Sequence, residues 1–158
     1  MVLYQHYSGS GAHMSSYAVA GIAGPKKWTG LEFGTIVVGD NPLTEGMDRA
    51  RSKEVGRAQG LFVTATRDGS GAHLSYSVVF TAGPYNGSTL EIAGRDNLRP
   101  RTEVAVVGGT GAFRYARGYA LVETAKVEKG TLDNVILKMS FALRHLTLHY
   151  SSSPSEFN

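Results

Sequence analysis

Short runs of alternating apolar and polar residues, each cut off by glycine, restrict this chain's fold more than any other feature. Alternation with period two puts one set of side chains on one face of a strand. Val2-Leu3-Tyr4-Gln5-His6-Tyr7 ends at Ser8-Gly9-Ser10-Gly11, and Ser16 to Ile22 is closed by Gly24-Pro25-Lys26-Lys27. Leu31 to Val38 is stopped by Gly39-Asp40-Asn41-Pro42. Ala58 to Arg67 and Ala72 to Thr81 flank Asp68-Gly69-Ser70-Gly71, a hairpin signal in which glycine supplies the positive φ of a tight turn. Further strands are expected over Thr89–Arg95, Thr102–Val107, Phe113–Thr124 and Val135–Tyr150. No amphipathic helix period survives over eleven or more residues. The charged stretch from Leu43 to Gly56 reads as a surface loop holding at most a helical turn or two. Eight or nine strands at this spacing make an all-β closed barrel or sandwich.

With 158 residues the chain has room for one domain, over residues 1–150, with a linker-like serine-rich tail at 151–158. Glycine takes 20 positions, about twice the usual share, which suits a turn-rich β protein. The formal net charge of +3 is spread along the chain, which excludes a nucleic-acid footprint or a polybasic membrane patch. There is no cysteine, so disulfide scaffolding, thiol catalysis and Cys-ligated metal centres are excluded. The N-terminus lacks a basic and apolar leader pattern, and the expected location is the cytoplasm, or the apoplast if a leader has been removed.

Few motifs carry chemistry. Val107-Gly108-Gly109-Thr110-Gly111 fails as a nucleotide loop, because Arg114 stands where the third glycine belongs and a strand follows, so it reads as a wide turn. His145 and His149 would lie about 13 Å apart on a strand, too far to share a metal; no metal or other cofactor is expected. Asn86-Gly87-Ser88 matches a glycosylation sequon, relevant in a secreted chain. In the expected strand from Phe113, alternation places Phe113, Tyr115, Arg117 and Tyr119 on one face. An arginine there suits a barrel cavity holding water or a ligand better than a dry core.

Several blocks together resemble the plant dirigent family. They are Phe33-Gly34-Thr35-Ile36-Val37-Val38, Asp40-Asn41-Pro42-Leu43-Thr44-Glu45-Gly46, Gly56-Arg57-Ala58-Gln59-Gly60, Tyr85-Asn86-Gly87-Ser88-Thr89-Leu90, and Val106 to Phe113 followed by Ala116-Arg117-Gly118-Tyr119-Ala120. Their variants and the serine-rich tail look most like the dirigent half of cereal chimeric lectins, in which a jacalin-type lectin domain follows. The resemblance implies an eight-stranded antiparallel β-barrel with a cavity, assembled as a homotrimer. It implies that coupling members steer two phenoxy radicals, made by a separate oxidase, and that an acid assists later cyclisation of a quinone methide. It also implies a pocket arginine at Arg117, with Asp96 and Tyr85 on further family blocks. The first strand of coupling members ends His-Asp, whereas this one ends His6-Tyr7, and Ala112 replaces an acid often found before Phe113.

The leading expectation is a non-catalytic module, not an enzyme, that binds a glycan or other small molecule in plant stress or defence. Its expected ligand-binding residues are Arg117, Tyr115, Tyr119, Tyr85, Asp96 and Asp40, with aromatic faces stacking on a sugar and charged groups bonding its hydroxyls. Asp96 or Asp40 is the expected partner of Arg117. The alternatives are a stereo-directing dirigent protein, with coupling weakened by the loss of an acid at Tyr7, and an oligomerisation unit that raises a fused lectin's valency.

Overall fold

A computed structural model describes residues 1–22, 31–127 and 134–144. Among these described residues nine strands run in chain order: β1 Val2–Ser8, β2 Ser16–Ala20, β3 Ile36–Thr44, β4 Glu54–Thr64, β5 Ala72–Phe80, β6 Thr89–Asp96, β7 Arg101–Thr110, β8 Arg117–Val127 and β9 Asn134–Arg144. All pairings are antiparallel, in the order β1-β9-β8-β7-β6-β5-β4-β3-β2, and β1 also pairs with β3 at Tyr4↔Thr44 and Gln5↔Leu43. That last pairing closes an eight-stranded barrel, with β2 laid along the first half of β3. The expected closed antiparallel barrel is therefore the observed one. His145, His149 and the tail from 151 lie outside the described residues, as do Gly24-Pro25-Lys26-Lys27.

The registers identify the inward face. Leu43↔Gly56↔Phe80, Asn41↔Ala58↔Val78, Gly39↔Gly60↔Tyr76 and Val37↔Phe62↔Leu74 point inward together. So do Thr102↔Val122↔Met139 and Val104↔Ala120↔Phe141. One half of the interior is packed solid by Leu3, Leu43, Val78, Leu90, Ile92, Val104, Val106, Met139 and Phe141. The chain turns between β5 and β6 and between β7 and β8 seal that end with an aromatic cluster. There Phe80, Tyr85 and Phe113 sit with ring centroids 4.8–5.5 Å apart. At the other end small inward residues, Gly39, Ala58, Gly60 and Ala72, leave space unfilled.

Several boundaries differ from the sequence expectation. Gly39-Asp40-Asn41-Pro42 does not stop β3, which starts at Ile36 and runs to Thr44. The Asp40 N–H donates to Ser15 O, on the side of β3 away from β4. Two residues on, the Pro42 nitrogen faces the same side, in the gap between the end of β2's pairing at Gly39 and the start of β1's at Leu43. No ladder bond is lost there, so proline is tolerated. The Leu43–Gly56 connection holds turns and bends with no helical turn; among the described residues the single-turn 3-10 helices are Gly83–Tyr85 and Gly111–Phe113. Gly108 and Gly109 belong to β7, paired with Glu91 and Leu90 just past a bulge at Val107, and are not part of a wide turn.

His6 faces outward beneath the 45–53 connection, and its Nε2 lies 2.7 Å from Thr44 Oγ1. Thr44 donates its only hydroxyl proton to Gly46 O at 2.6 Å, so the imidazole must be the donor in the first contact. Burial, reinforced by the Arg49 charge and opposed by Glu54, lowers its pKa. His6 is thus a neutral structural histidine outside the cavity.

Candidate functional site

The unfilled end of the barrel is a cavity of about 270 Å³. Its walls are mostly aliphatic and aromatic, from Val37, Leu74, Phe62, Val122 and Leu137, with polar groups from Gln5, Asn41, Thr102 and Thr124. Ser15 and Ser16 donate to Asn41 Oδ1 at 2.6 and 2.9 Å, which orients the amide.

Tyr7 and Asp96 line the mouth. Strands β1 and β6 are four steps apart either way round the barrel, so these two side chains face each other across it. Burial raises the Asp96 carboxyl above its ordinary pKa; the opposing influence is the Leu98 N–H, which donates to Oδ1 at 2.8 Å. Tyr76, two inward-facing positions deeper and opposite Ile92, has its phenol pushed up by burial and then by the Asp96 charge. The cavity therefore offers one carboxyl that holds its proton more tightly than an exposed carboxyl does, flanked by phenols and neutral hydrogen-bonding groups. Such a group can donate a proton to an oxygen held in the cavity.

Of the six residues singled out from sequence, Asp96 alone lines this cavity. The expectation that Arg117 points inward is corrected. Residues 114–116 form a turn after the 3-10 helix, with Tyr115 at φ +65°, so strand alternation does not carry through from Phe113. Ala120 and Val122 face in, and Arg117 and Tyr119 face out. Arg117 Nη1 donates to its neighbour Ala116 O at 3.0 Å, not to Asp96 or Asp40. Tyr115 is 53% exposed, and Tyr85 packs in the aromatic seal at the opposite end. Asp40 lies on the outer wall in an ion pair with Arg57, Nε to Oδ1 at 2.8 Å, which with the Gln59 amide holds its carboxyl below the usual range. It borders a separate outer cleft of about 280 Å³.

Gln5, Asn41, Tyr76, Arg99 and Thr102 were not singled out from the sequence. Four of them stand in phase with core residues: Gln5 after Leu3, Asn41 before Leu43, Tyr76 between Leu74 and Val78, Thr102 before Val104. A polar or phenolic residue in phase with a strand's apolar set is the signal that could have found them. Among the described residues no group of three His, Asp or Glu is placed to hold a metal.

The family model described as Dirigent-like protein matches residues 1–143. The chain is 45% identical over 106 residues to Dirigent protein 1 of Arabidopsis thaliana, which covers 66% of this chain and 58% of that protein. It is 47% identical over 108 residues to Pterocarpan synthase 1 of Glycine max, covering 67% and 58%. With Pterocarpan synthase 1 of Glycyrrhiza echinata it shares 41% over 135 residues, covering 84% and 71%. The chain thus spans less than two thirds of the length of the first two. Among solved structures, the pterocarpan synthase dirigent protein PsPTS1 superposes with a TM-score of 0.82 at 36% identity, covering 92% of this chain and 93% of that one. The pterocarpan synthase dirigent protein GePTS1 gives 0.80 at 35%, covering 90% and 84%. On the extent of that family match and the identity to these relatives, the chain belongs to the dirigent-like family.

Proposed function

We propose that this protein is a stereo-directing dirigent protein that holds a phenolic intermediate in the barrel cavity, with Asp96 as its acid. The observation that carries the reading is the raised carboxyl of Asp96 facing Tyr7 across an apolar cavity. An aromatic ring lodges between the aliphatic walls, with its oxygen toward Asp96. In ring closure of a quinone methide, the Asp96 proton passes to the quinonoid carbonyl oxygen and restores a phenol. A hydroxyl of the same molecule gives a lone pair to the methide carbon and releases its proton back to the carboxylate. The step is redox-neutral; any radical is made beforehand by a separate oxidase. A fixed ring exposes one face to attack, and orientation of this kind is worth several kcal/mol.

The family membership and the relatives named pterocarpan synthase support this reading over a glycan-binding one. The residues expected to grip a sugar, Arg117, Tyr115, Tyr119 and Tyr85, lie outside the cavity. Its volume is near the lower limit of small-molecule sites, about 300 Å³. The test is oxidase plus coniferyl alcohol, with products separated by chiral chromatography. An enantiomeric excess that rises with protein concentration is expected, and racemic products at every concentration would overturn the reading.

The same proposal includes self-association. In register across the outer wall run Tyr17↔Val38↔Leu61↔Ser75↔Ala93↔Ala105↔Tyr119↔Ala142, a belt without a charged residue. Tyr17, Val38, Leu61 and Tyr119 are each more than 40% exposed. Such a surface favours burial against a copy, and the family resemblance supports three. Light scattering at tens of micromolar should give about three times the 16.9 kDa chain mass; a monomer mass would contradict it.

A further inference from the structure

At the cavity mouth the chain passes from β6 to β7 through Asn97, Leu98, Arg99 and Pro100. Two side-chain caps shape this link: Asp96 Oδ1 accepts the Leu98 N–H at 2.8 Å, and Asn97 Oδ1 accepts the Arg99 N–H at 3.1 Å. They hold Leu98 at φ +50°, in the left-handed region that a branched side chain rarely adopts. The outcome is that Leu98 and Arg99 both line the cavity. Arg99 is the only lysine or arginine among the described residues that does so. No hydrogen bond or ion pair among the described residues engages its guanidinium. By contrast Arg49, Arg51, Arg57 and Arg101 each form an ion pair with an acid. Asp96 forms no ion pair with Arg99, and among the described residues no second carboxylate lines the cavity.

The site is therefore polarised. Its depth is apolar and neutral, and its rim carries one uncommitted planar cation. A guanidinium matches a carboxylate in bidentate geometry. We propose that the cavity selects phenols bearing a carboxylate, the phenolic oxygen meeting Asp96 and the carboxylate lying along the rim, where Arg99, three residues on, holds it. This rests on the reading of the cavity as a phenol site and names the substrate class within it: hydroxycinnamate-type acids in preference to the corresponding alcohols.

Ferulate and coniferyl alcohol have the same ring and three-carbon chain and differ in the charged terminus, so the pair isolates the rim interaction. Calorimetric titration of the intact chain at low ionic strength and neutral pH should show ferulate binding about three- to tenfold more tightly, with the preference shrinking as salt is added. Arg99→Gln should remove the preference by lowering ferulate affinity far more than coniferyl alcohol affinity. Arg101→Gln makes the same charge change two residues on, at an outward arginine 3.8 Å from Glu123, and should keep the preference. Equal affinities for both ligands, or equal erosion by both variants, would overturn Arg99 as the selector while leaving the phenol site standing. Binding of neither ligand would overturn the selector and the phenol site together.

Discussion

Asp96→Asn should abolish stereochemical control. The amide keeps the oxygen that accepts the Leu98 N–H, so the 96–99 link is preserved, and only the transferable proton is lost. General acid catalysis is worth about 10²–10⁴-fold, so the directed pathway should fall by roughly two orders of magnitude or more and the enantiomeric excess should collapse. In the wild-type protein the same excess should decline as pH rises through the raised Asp96 pKa, because the acid works in its protonated form. The stability sign is opposite. A carboxyl whose folded pKa lies above its unfolded value opposes folding at neutral pH, and that penalty is relieved as pH falls toward the unfolded value. Asp96→Asn should therefore melt at a temperature equal to or above wild type, which separates loss of function from loss of fold. Retained excess in a folded Asp96→Asn variant would remove Asp96 from the mechanism.

Gly118→Ala should be far more disruptive than Gly94→Ala, though both glycines bend inward-facing strand positions at positive φ, +156° and +141°. At Gly94 an added Cβ meets no atom within 4 Å, so the cost is the backbone strain alone, about 1–3 kcal/mol. At Gly118 it would drive into the Ala142 carbonyl of β9, with Ala142 C at 3.0 Å and Leu143 Cα at 3.1 Å. Backbone cannot rotate aside as a side chain can, and the β8–β9 ladder would have to separate. A loss of about 3–5 kcal/mol is expected, lowering the melting temperature by on the order of 10 °C. Equal melting shifts for the two variants would mean that β8 and β9 do not approach as closely as described.

The barrel was legible because its inward residues alternate strictly with outward ones, as in Arg101–Val107, where Thr102, Val104 and Val106 are buried and the rest are not. The break came where a turn interrupts a run that still looks alternating. Phe113 to Tyr119 has the residue pattern of a strand, yet the 3-10 turn and the left-handed Tyr115 shift the phase and send Arg117 outward. Pro42 misled in the other direction, because only the tertiary gap between β1 and β2 makes it harmless within β3. Asp96 could be flagged from its motif, but its opposition to Tyr7 depends on closure of the barrel, which places residues 89 positions apart on facing walls and which no local pattern encodes.

Phenols are expected to occupy the cavity between Tyr7 and Asp96. Amide chemical shifts of the isotope-labelled protein titrated with coniferyl alcohol report the location directly. Saturable shifts at Ala72, Tyr76, Asp96, Thr102 and Thr124, with Arg117, Tyr119 and the Asp40–Arg57 outer cleft unmoved, are the result predicted. Saturable shifts confined to Tyr115–Tyr119 or to the outer cleft, with the cavity residues silent, would contradict it.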